Sequence, residues 1–402
     1  MGWETKTLGE VCEIKPPKSE ARHRVPFDSL VSFLPMEDLG IAQKFTKPTQ
    51  EKPLSAVVGS YTYFADGDVL LAKITPCFEN GKLGIADGLK NGIGFGSSEY
   101  IVFRPSPSVS KEWLYYFLSR ESFRVEGAAR MSGAVGHKRV SKEFIEGCPI
   151  PLPPLPEQQR IVGILDEAFE GIATAKANAE KNLKNARVLF DSHLNAVFSQ
   201  RGEGWVEKRI EEWCESIMDC VNKTAPIAEG PTPFKMIRTT NVRNGCVDVS
   251  VVRYVTEETY KVWTRRQIPQ QGDVILTREA PMGEVGMLLT NDRIFLGQRL
   301  VSYRANLKLL DNRFLLYALQ SGDLQGQIHE KASGSTVQHM RVPDTKNLVL
   351  AAPPLLKQQE IVAQLLALRT ETQRLETLYQ QKLAALDALK KSLLHQAFAG
   401  EL

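Results

Sequence analysis

Residues 151–162 read PLPPLPEQQRIV, and residues 353–362 read PPLLKQQEIV. The two stretches share two prolines, a leucine, two glutamines, an isoleucine and a valine, and each of these recurs 200 positions later. After each stretch, apolar residues return every three or four positions, which predicts a helix of roughly 40 residues. A repeat spaced this widely indicates a duplicated domain, because solenoid units repeat at roughly 20–50 residues.

The duplication also covers the segments that precede the two helices. Residues 67–71, Gly-Asp-Val-Leu-Leu, match residues 272–276, Gly-Asp-Val-Ile-Leu. Further matches join Trp3 to Trp205, Lys73 to Arg278, Ser132-Gly133 to Ser333-Gly334, and Arg139-Val140 to Arg341-Val342. The sequence therefore predicts a first globular domain at 1–150, a first long helix at 151–200, a second domain at 201–350 and a second long helix at 351–402.

The two long helices are expected to pair with each other. Their apolar positions form a sustained heptad-like seam, which is typical of a coiled coil. Because the chain leaves the first domain along one helix and returns along the other, the pairing would be antiparallel and would bring Leu402 near the start of the first domain. The alternative, in which each helix packs only onto its own domain, stays open.

The globular segments are predicted to mix short strands with amphipathic helices. The fold class is therefore α+β, with two similar mixed α/β domains joined by two long antiparallel helices in a pseudo-two-fold coiled coil. Helices are predicted at 113–123 and 314–320, and strands at 27–34, 61–64, 69–71, 99–103, 234–237, 247–254, 273–276 and 299–304.

The composition is that of a chain able to bury its own cores. It has 402 residues, of which 43% are hydrophobic, and a formal net charge of +3. It contains no run of about 18 apolar residues, so no membrane span is expected. The six cysteines form no Cys-x-x-Cys pair, so a zinc or redox motif is not indicated and a reduced, cytoplasmic protein is expected.

The sequence lacks the common motifs of nucleotide-dependent and hydrolytic enzymes. It contains no Walker loop, no Gly-x-Gly-x-x-Gly, no His-Glu-x-x-His, no Gly-x-Ser-x-Gly and no Asn-Pro-Pro-aromatic motif. A nuclease-like cluster could be drawn through Asp66, Asp68 and Lys73. However, Gly-Asp-Val recurs at 272–274 as a turn that enters a strand, so the aspartates are predicted to be structural. We expect this chain to hold no catalytic residue, no metal and no cofactor.

Basic and amide side chains in loops are the better candidates for a binding site. Arg and Lys can read guanine edges or hold phosphates, and Asn can read adenine. Residues that are equivalent in the repeat are favoured, which selects the pair Lys73 and Arg278 and the pair Arg139 and Arg341. The candidates for DNA binding are Lys18, Arg22, Arg24, Lys73, Lys82, Lys138, Arg139, Arg238, Asn241, Arg243, Arg265, Arg266, Arg278, Arg299, His339 and Arg341.

With these features the chain resembles the specificity (S) subunit of type I restriction–modification systems, the HsdS family. The resemblance rests on the two Pro-Pro-Leu stretches, on the paired Gly-Asp-Val segments and on residues 394–400, Leu-His-Gln-Ala-Phe-Ala-Gly, and it covers the whole chain. It implies that each globular domain is a target recognition domain that reads half of a bipartite DNA sequence. Since the two domains differ outside their shared framework, we expect an asymmetric target with a non-specific gap.

The resemblance also implies partners and a docking surface. The partners would be double-stranded DNA, two methyltransferase (M) subunits and restriction/translocase (R) subunits, and S-adenosylmethionine, ATP and magnesium would act in those subunits. The chain itself would be non-catalytic. A fused nuclease or methyltransferase and a coiled-coil adaptor with protein-binding end domains remain as alternatives. The spacer and docking residues would be Gln158, Gln159, Ile161, Leu165, Gln358, Gln359, Ile361 and Leu365.

Overall fold

The computed structural model describes residues 3–134, 136–333 and 338–402. The chain forms two compact units, unit 1 with Met1–Glu180 and Gln381–Leu402, and unit 2 with Lys181–Gln380. The first long helix is Leu155–Ser199 and the second is Leu355–Ala399. Because the division falls inside both long helices, each unit contains one globular part and a portion of each helix.

The globular part of unit 1 is built on two sheets. The larger orders its strands as Cys12–Ile14, Tyr100–Pro105, Val69–Ala72, Leu83–Ala86 and Phe45–Thr46, and the other as Gln50–Pro53, Leu30–Leu34, Ile93–Gly96 and Thr62–Ala65. Glu4–Thr7 pairs antiparallel with Pro149–Leu152, the strand that leads into the first long helix. The helices are Leu8–Val11, Ser19–Arg24, Leu54–Val57, Lys111–Ser119, Glu121–Ala129 and Lys142–Gly147, with 3₁₀ turns at Met36–Asp38 and Lys90–Gly92.

Unit 2 repeats this arrangement with local differences. Its larger sheet orders the strands as Cys214–Asp219, Leu300–Ala305, Val274–Arg278, Met282–Met287, Gly245–Val247 and Val242–Arg243. Smaller sheets contain Arg253–Tyr254, Phe234–Ile237 and Arg293–Leu296, then Val206–Arg209 with Val349–Ala352, and Ala332–Ser333 with His339–Met340. The helices are Ile210–Trp213, Glu257–Trp263, Asn312–Gln320, Gly322–Glu330 and Val342–Lys346, with a 3₁₀ turn at Thr239–Asn241.

The main core of each unit lies where the globular part meets both long helices. In unit 1, Trp113 packs on Phe398 of the second long helix with ring centroids 4.3 Å apart. In unit 2, Phe314 packs on Phe198 of the first long helix at 5.1 Å. Such aromatic pairs add to the stabilisation from buried apolar area. Each globular part is therefore anchored on both long helices.

Within each unit the two helix portions run antiparallel. In unit 1, Arg160 donates to the carbonyl of Leu402 at 2.7 Å, and Lys176 pairs with Asp387 at 2.7 Å. In unit 2, Arg187 pairs with Glu376 at 3.1 Å, while the Arg369 guanidinium lies over the Phe190 ring. Both helices are 45 residues long, about 67 Å at the usual rise. The predicted α+β fold class with paired antiparallel helices is therefore confirmed.

Three predicted elements differ from the structure for local reasons. The helix predicted at 113–123 is two helices, because Arg120 is extended and caps the second one. The strand predicted at 27–34 begins only at Leu30, after a turn closed by the Ser29 amide. The strand predicted at 247–254 is interrupted, because the Asp248 side chain accepts the Ser250 amide and forms an Asx turn.

Candidate nucleic-acid interface

A buried carboxylate–guanidinium pair fixes the central strand of each globular part. Asp68 accepts two hydrogen bonds from Arg104 at 2.8 and 2.9 Å, and Asp68 also accepts the amide of Ala65. Asp273 accepts two bonds from Arg304, both at 2.9 Å, and the amide of Gln270. Both carboxylates are 1% exposed. The prediction that the Gly-Asp-Val aspartates are structural is confirmed, since each closes the turn before its strand and is neutralised by a bidentate arginine.

Lys73 and Arg278 lie at equivalent points where these central strands end. The Lys73 amide donates to the carbonyl of Glu99 at 2.9 Å, and the Arg278 amide donates to the carbonyl of Arg299 at 2.8 Å. The same backbone hydrogen bond therefore presents different side chains in the two units: lysine with glutamate in unit 1, and arginine with arginine in unit 2.

In unit 1 this position belongs to a cationic cluster around one carboxylate. Arg139 donates to both Glu99 oxygens at 2.9 and 2.7 Å, and Lys73 Nζ lies 4.0 Å from the same carboxylate while donating to the Ser98 carbonyl. The Arg139 hydrogen bond lowers the pKa of Glu99. Burial lowers the pKa of Lys73, although Glu99 opposes that shift.

The cluster borders a concave surface, which we call the unit 1 groove, with a volume of about 590 Å³. Its lining includes Lys15, Lys18, Lys73, Arg139 and Lys142, together with the carboxylate of Glu146 and the aromatic rings of Tyr61, Tyr63 and Tyr100. Burial and then the charges of Lys15 and Arg22 lower the pKa of Lys18. A surface with several cations and few carboxylates fits a polyanion such as a phosphate backbone.

The other unit 1 candidates lie at different depths. Arg22, Arg24 and Lys138 are exposed, Arg24 donating weakly to the Gly92 carbonyl at 3.4 Å. Lys18 donates to the Gly59 carbonyl at 3.1 Å. Lys82 is half-buried, and its ammonium donates to the carbonyls of Met36 and Glu37 at 2.7 and 3.2 Å, so this side chain ties a loop to the sheet.

In unit 2, two arginines lie at the loop after the central strand, and the residue that follows a third arginine contacts this loop. Arg278 Nη1 donates to the Met340 carbonyl at 2.8 Å, and Arg299, with a φ of 72°, pairs with Glu279 at 3.2 Å. Arg238 is joined to this loop through its neighbour Thr239, which donates to Ala280 O. The buried Nε–H groups of Arg238 and Arg278 find no acceptor within the described part of the chain.

The structure corrects the alignment at the domain ends. Arg139 bridges Ile74 and Ser132, whereas in unit 2 His339 pairs with Glu279 and with Ser333. His339 therefore occupies the position of Arg139, and the predicted equivalence of Arg139 with Arg341 is wrong. Arg341 instead corresponds to Ser141, since both precede the first residue of a short helix, and Arg341 pairs with Asp344 at 2.8 Å. Gly334 lies outside the described residues.

The remaining unit 2 candidates include one further correction. Arg265 is exposed, Arg266 pairs with Asp219 at 2.7 Å, and Arg243 donates to the carbonyls of Thr239 and Val242. Asn241 is only 5% exposed. Its amide donates to the carbonyls of Asp248 and Val251 and its oxygen accepts the Arg238 amide, so it shapes the loop and cannot read a base.

The first glutamine of each repeated stretch is buried and makes internal hydrogen bonds. Gln158 accepts the Ser110 amide at 2.9 Å and donates to the carbonyls of Ser108 and Pro153. Gln358 makes the same three bonds, to the Asp311 amide and to the carbonyls of Leu309 and Pro353. Both are fully buried. Each amide therefore fixes the start of a long helix to the loop that begins a domain helix.

These contacts correct part of the predicted docking surface. Gln158, Gln358, Ile161, Leu165, Ile361 and Leu365 are all buried in the cores of their own units, so they cannot contact a partner. Gln159 and Gln359, one position later in each stretch, are exposed. Sequence reasoning also missed Arg104 and Arg304, although their recurrence after Phe103 and Tyr303 at the same spacing is a usable signal.

Two further observations concern membrane-spanning helices and metal-binding groups. In the described ranges, no helix has the length and apolar character needed to cross a membrane. Among those same residues, no group of three or more His, Cys, Asp or Glu side chains is placed to hold a metal ion.

Comparison with known proteins identifies the class. The family profile described as type I restriction modification DNA specificity domain matches residues 1–185 and 202–384, one match for each half of the duplication. The chain therefore belongs to this family of DNA specificity domains.

A named relative agrees with this assignment. The EcoAI specificity subunit of Escherichia coli, a type I restriction enzyme subunit, is 40% identical over 213 residues, which are 53% of this chain and 35% of that protein. The chain thus spans about a third of that relative's length.

Solved structures share the fold. The HsdS subunit from Thermoanaerobacter tengcongensis has a TM-score of 0.69 at 20% identity, covering 100% of this chain and 97% of that one. A chain from a study of complex assembly and conformational transition of the type I R-M system has a TM-score of 0.78 at 21% identity, with 100% and 98% covered.

Proposed function

We propose that this chain is the specificity subunit of a type I restriction–modification complex and that each globular part reads one half of an asymmetric, bipartite target in double-stranded DNA. The observation that carries the proposal is the pair of equivalent loops after the two central strands. One backbone frame presents Lys73, Glu99 and Arg139 in unit 1, and Arg278, Arg299 and His339 in unit 2. The same backbone arrangement with different side chains suits two domains that dock on DNA in the same way but read different base sequences.

The long helices would act as the spacer and as the docking frame for two methyltransferase subunits. Leu189 and Leu389 support this role, because they are equivalent in the repeat and are 50% and 47% exposed. Gln159 and Gln359 are exposed at equivalent positions in the same way. Exposed side chains that recur at equivalent positions of the two helices fit two copies of one partner. Methyl transfer with S-adenosylmethionine, and ATP- and magnesium-dependent restriction, would belong to the partner subunits.

Salt-dependent DNA binding by the complex with its methyltransferase tests the site. Lys73→Ala and Arg278→Ala should each weaken binding and reduce the slope of log K against log salt by about 0.9 for each phosphate that the variant no longer neutralises. Lys6→Ala is the matched control, since it also removes one partly exposed cation of unit 1 but lies on the strand Glu4–Thr7. If both loop variants behave like the control, these loops do not contact DNA. If the intact complex binds no DNA, the adaptor function is favoured instead.

A further inference from the structure

The ion pairs between the long helices carry opposite charges at equivalent positions of the repeat. In unit 1 the cation is on the first helix, with Lys176 Nζ 2.7 Å from Asp387, and its hydrogen bond lowers the pKa of Asp387. In unit 2 the cation is again on the first helix, with Arg187 Nε 3.1 Å from Glu376. At the offset of 200, Lys176 is equivalent to Glu376, and Arg187 is equivalent to Asp387. The first helix is therefore cationic at both positions, and the second is anionic at both.

A second layer of contacts follows the same rule. In unit 1 the Lys390 ammonium lies 4.8 Å from the centre of the Phe169 ring. In unit 2 the Arg369 guanidinium lies 5.3 Å from the centre of the Phe190 ring. Both rings belong to the first helix and both cations to the second, although residues 169 and 369, and 190 and 390, are equivalent in the repeat.

The ends of the apolar seam, by contrast, offer the same side chains on both helices. At an offset of 200 five buried pairs are identical, namely Ile161 and Ile361, Val162 and Val362, Leu165 and Leu365, Leu194 and Leu394, and Phe198 and Phe398. The middle of the seam differs, since buried Ile172, Ala179 and Ala186 are equivalent to Thr372, Tyr379 and Leu386. The identical end pairs do not distinguish one helix from the other, and the polar contacts that flank the seam add a choice of partner based on charge.

We infer that these charged contacts direct the first long helix to pair with the second and oppose pairing of like helices from two copies of this chain. Because the helices are antiparallel and the repeat offset is constant, a pair of first helices would set Lys176 against Arg187 twice. A pair of second helices would set Glu376 against Asp387 twice. Both ion pairs of the observed pairing become repulsions, which is how charged flanking positions select partners in coiled coils.

The second layer disfavours one like pairing more than the other. Two second helices would bring Arg369 against Lys390, whereas two first helices would bring Phe169 against Phe190, a contact without repulsion. Each half-exposed contact is individually weak, but the charged contacts act together. The unlike pairing should therefore be favoured by on the order of tenfold to a hundredfold.

The test uses the full chain with a protease site inserted between Gly202 and Glu203, in the exposed connection after the first helix. The folded protein is cut, warmed to allow exchange of halves, and analysed by native mass spectrometry, which separates unlike from like pairs. The informative variant is Arg187→Glu with Glu376→Arg. It keeps an ion pair in each unit and the net charge unchanged, yet makes each helix complementary to itself.

Unlike pairs should dominate for the cut natural sequence, and like pairs should rise at least tenfold for that variant. Adding Lys176→Asp and Asp387→Lys reverses both pairs together, so this fourfold variant should return to unlike pairs. Equal amounts of like pairs in all three proteins would overturn the inference, as would a fourfold variant that still forms like pairs.

Uncut protein gives a second measurement that does not depend on exchange. Glu376→Lys with Asp387→Arg gives the second helix two cations, which then face Lys176 and Arg187 of the first helix. The folding equilibrium should shift toward the unfolded state by on the order of tenfold, and Lys176→Glu with Arg187→Asp should reverse the shift. An unchanged unfolding midpoint in the uncut double variant would also contradict the inference.

Discussion

Replacing Gln158 with leucine should lower the free energy of unfolding of unit 1 by about 3 kcal/mol. The substitution keeps a side chain of similar size but removes three hydrogen bonds of 2.8–2.9 Å, to the Ser110 amide and to the carbonyls of Ser108 and Pro153. A buried bond contributes about 1 kcal/mol, and more when its partner is left buried without a replacement. The amide has no exposed surface, so water cannot substitute without rearrangement.

Urea denaturation followed by tryptophan fluorescence measures this loss. Trp113 is a suitable reporter, because its ring lies in the same core and its Nε1–H donates to the Pro151 carbonyl at 3.1 Å. Gln159→Leu is the matched control, since the neighbouring glutamine is exposed, and it should change stability by no more than about 0.5 kcal/mol. A loss of unfolding free energy below about 1 kcal/mol for Gln158→Leu, or an equal loss in both variants, would refute a stabilising role for the Gln158 hydrogen bonds.

Two further predictions concern ion pairs of unit 1. Arg104→Met leaves the Asp68 carboxylate buried without its guanidinium, so thermal or urea unfolding should show a loss of about 3 kcal/mol; a loss under about 1 kcal/mol would count against the pairing. For Glu99, the hydrogen bond from Arg139 lowers the pKa in the folded state. The contribution of this hydrogen bond to stability is present at pH values above the usual pKa of glutamate, and it is lost as the pH falls through the lowered pKa. The urea midpoint of Glu99→Gln should therefore fall less between neutral and acidic pH than that of the natural sequence, and parallel profiles would disprove this linkage.

The helices and the turn aspartates were predictable because their physical requirements are local. Apolar spacing and flanking prolines are enough to predict the long helices, and a recurring Gly-Asp-Val turn is enough to predict the buried roles of Asp68 and Asp273. Their arginine partners lie on a different strand, more than 30 residues away, so local pattern does not reveal them. The buried glutamines were misinterpreted for a similar reason, since polar residues on a helix are expected to face water or a partner.

The loops were less predictable because their lengths differ between the two halves. A constant offset holds in the helices, but the loop before His339 is one residue shorter than the loop before Arg139, counted from the paired serines. Matching Arg139 to the next arginine in the sequence gave Arg341, and only strand pairing shows that His339 occupies the equivalent place. Whether a loop arginine is presented or internally bonded, as Arg243 is, likewise depends on carbonyls that the sequence does not locate.

Mapping of methylated adenines tests whether each globular part reads its own half of the target. Residues 206–352 would be replaced with the corresponding segment of another family member, leaving both long helices and unit 1's globular part unchanged, in cells that also carry the methyltransferase. The expected result is a motif in which one half-site changes while the other half-site and the gap are retained. A motif in which both half-sites change, or in which neither does, would contradict it.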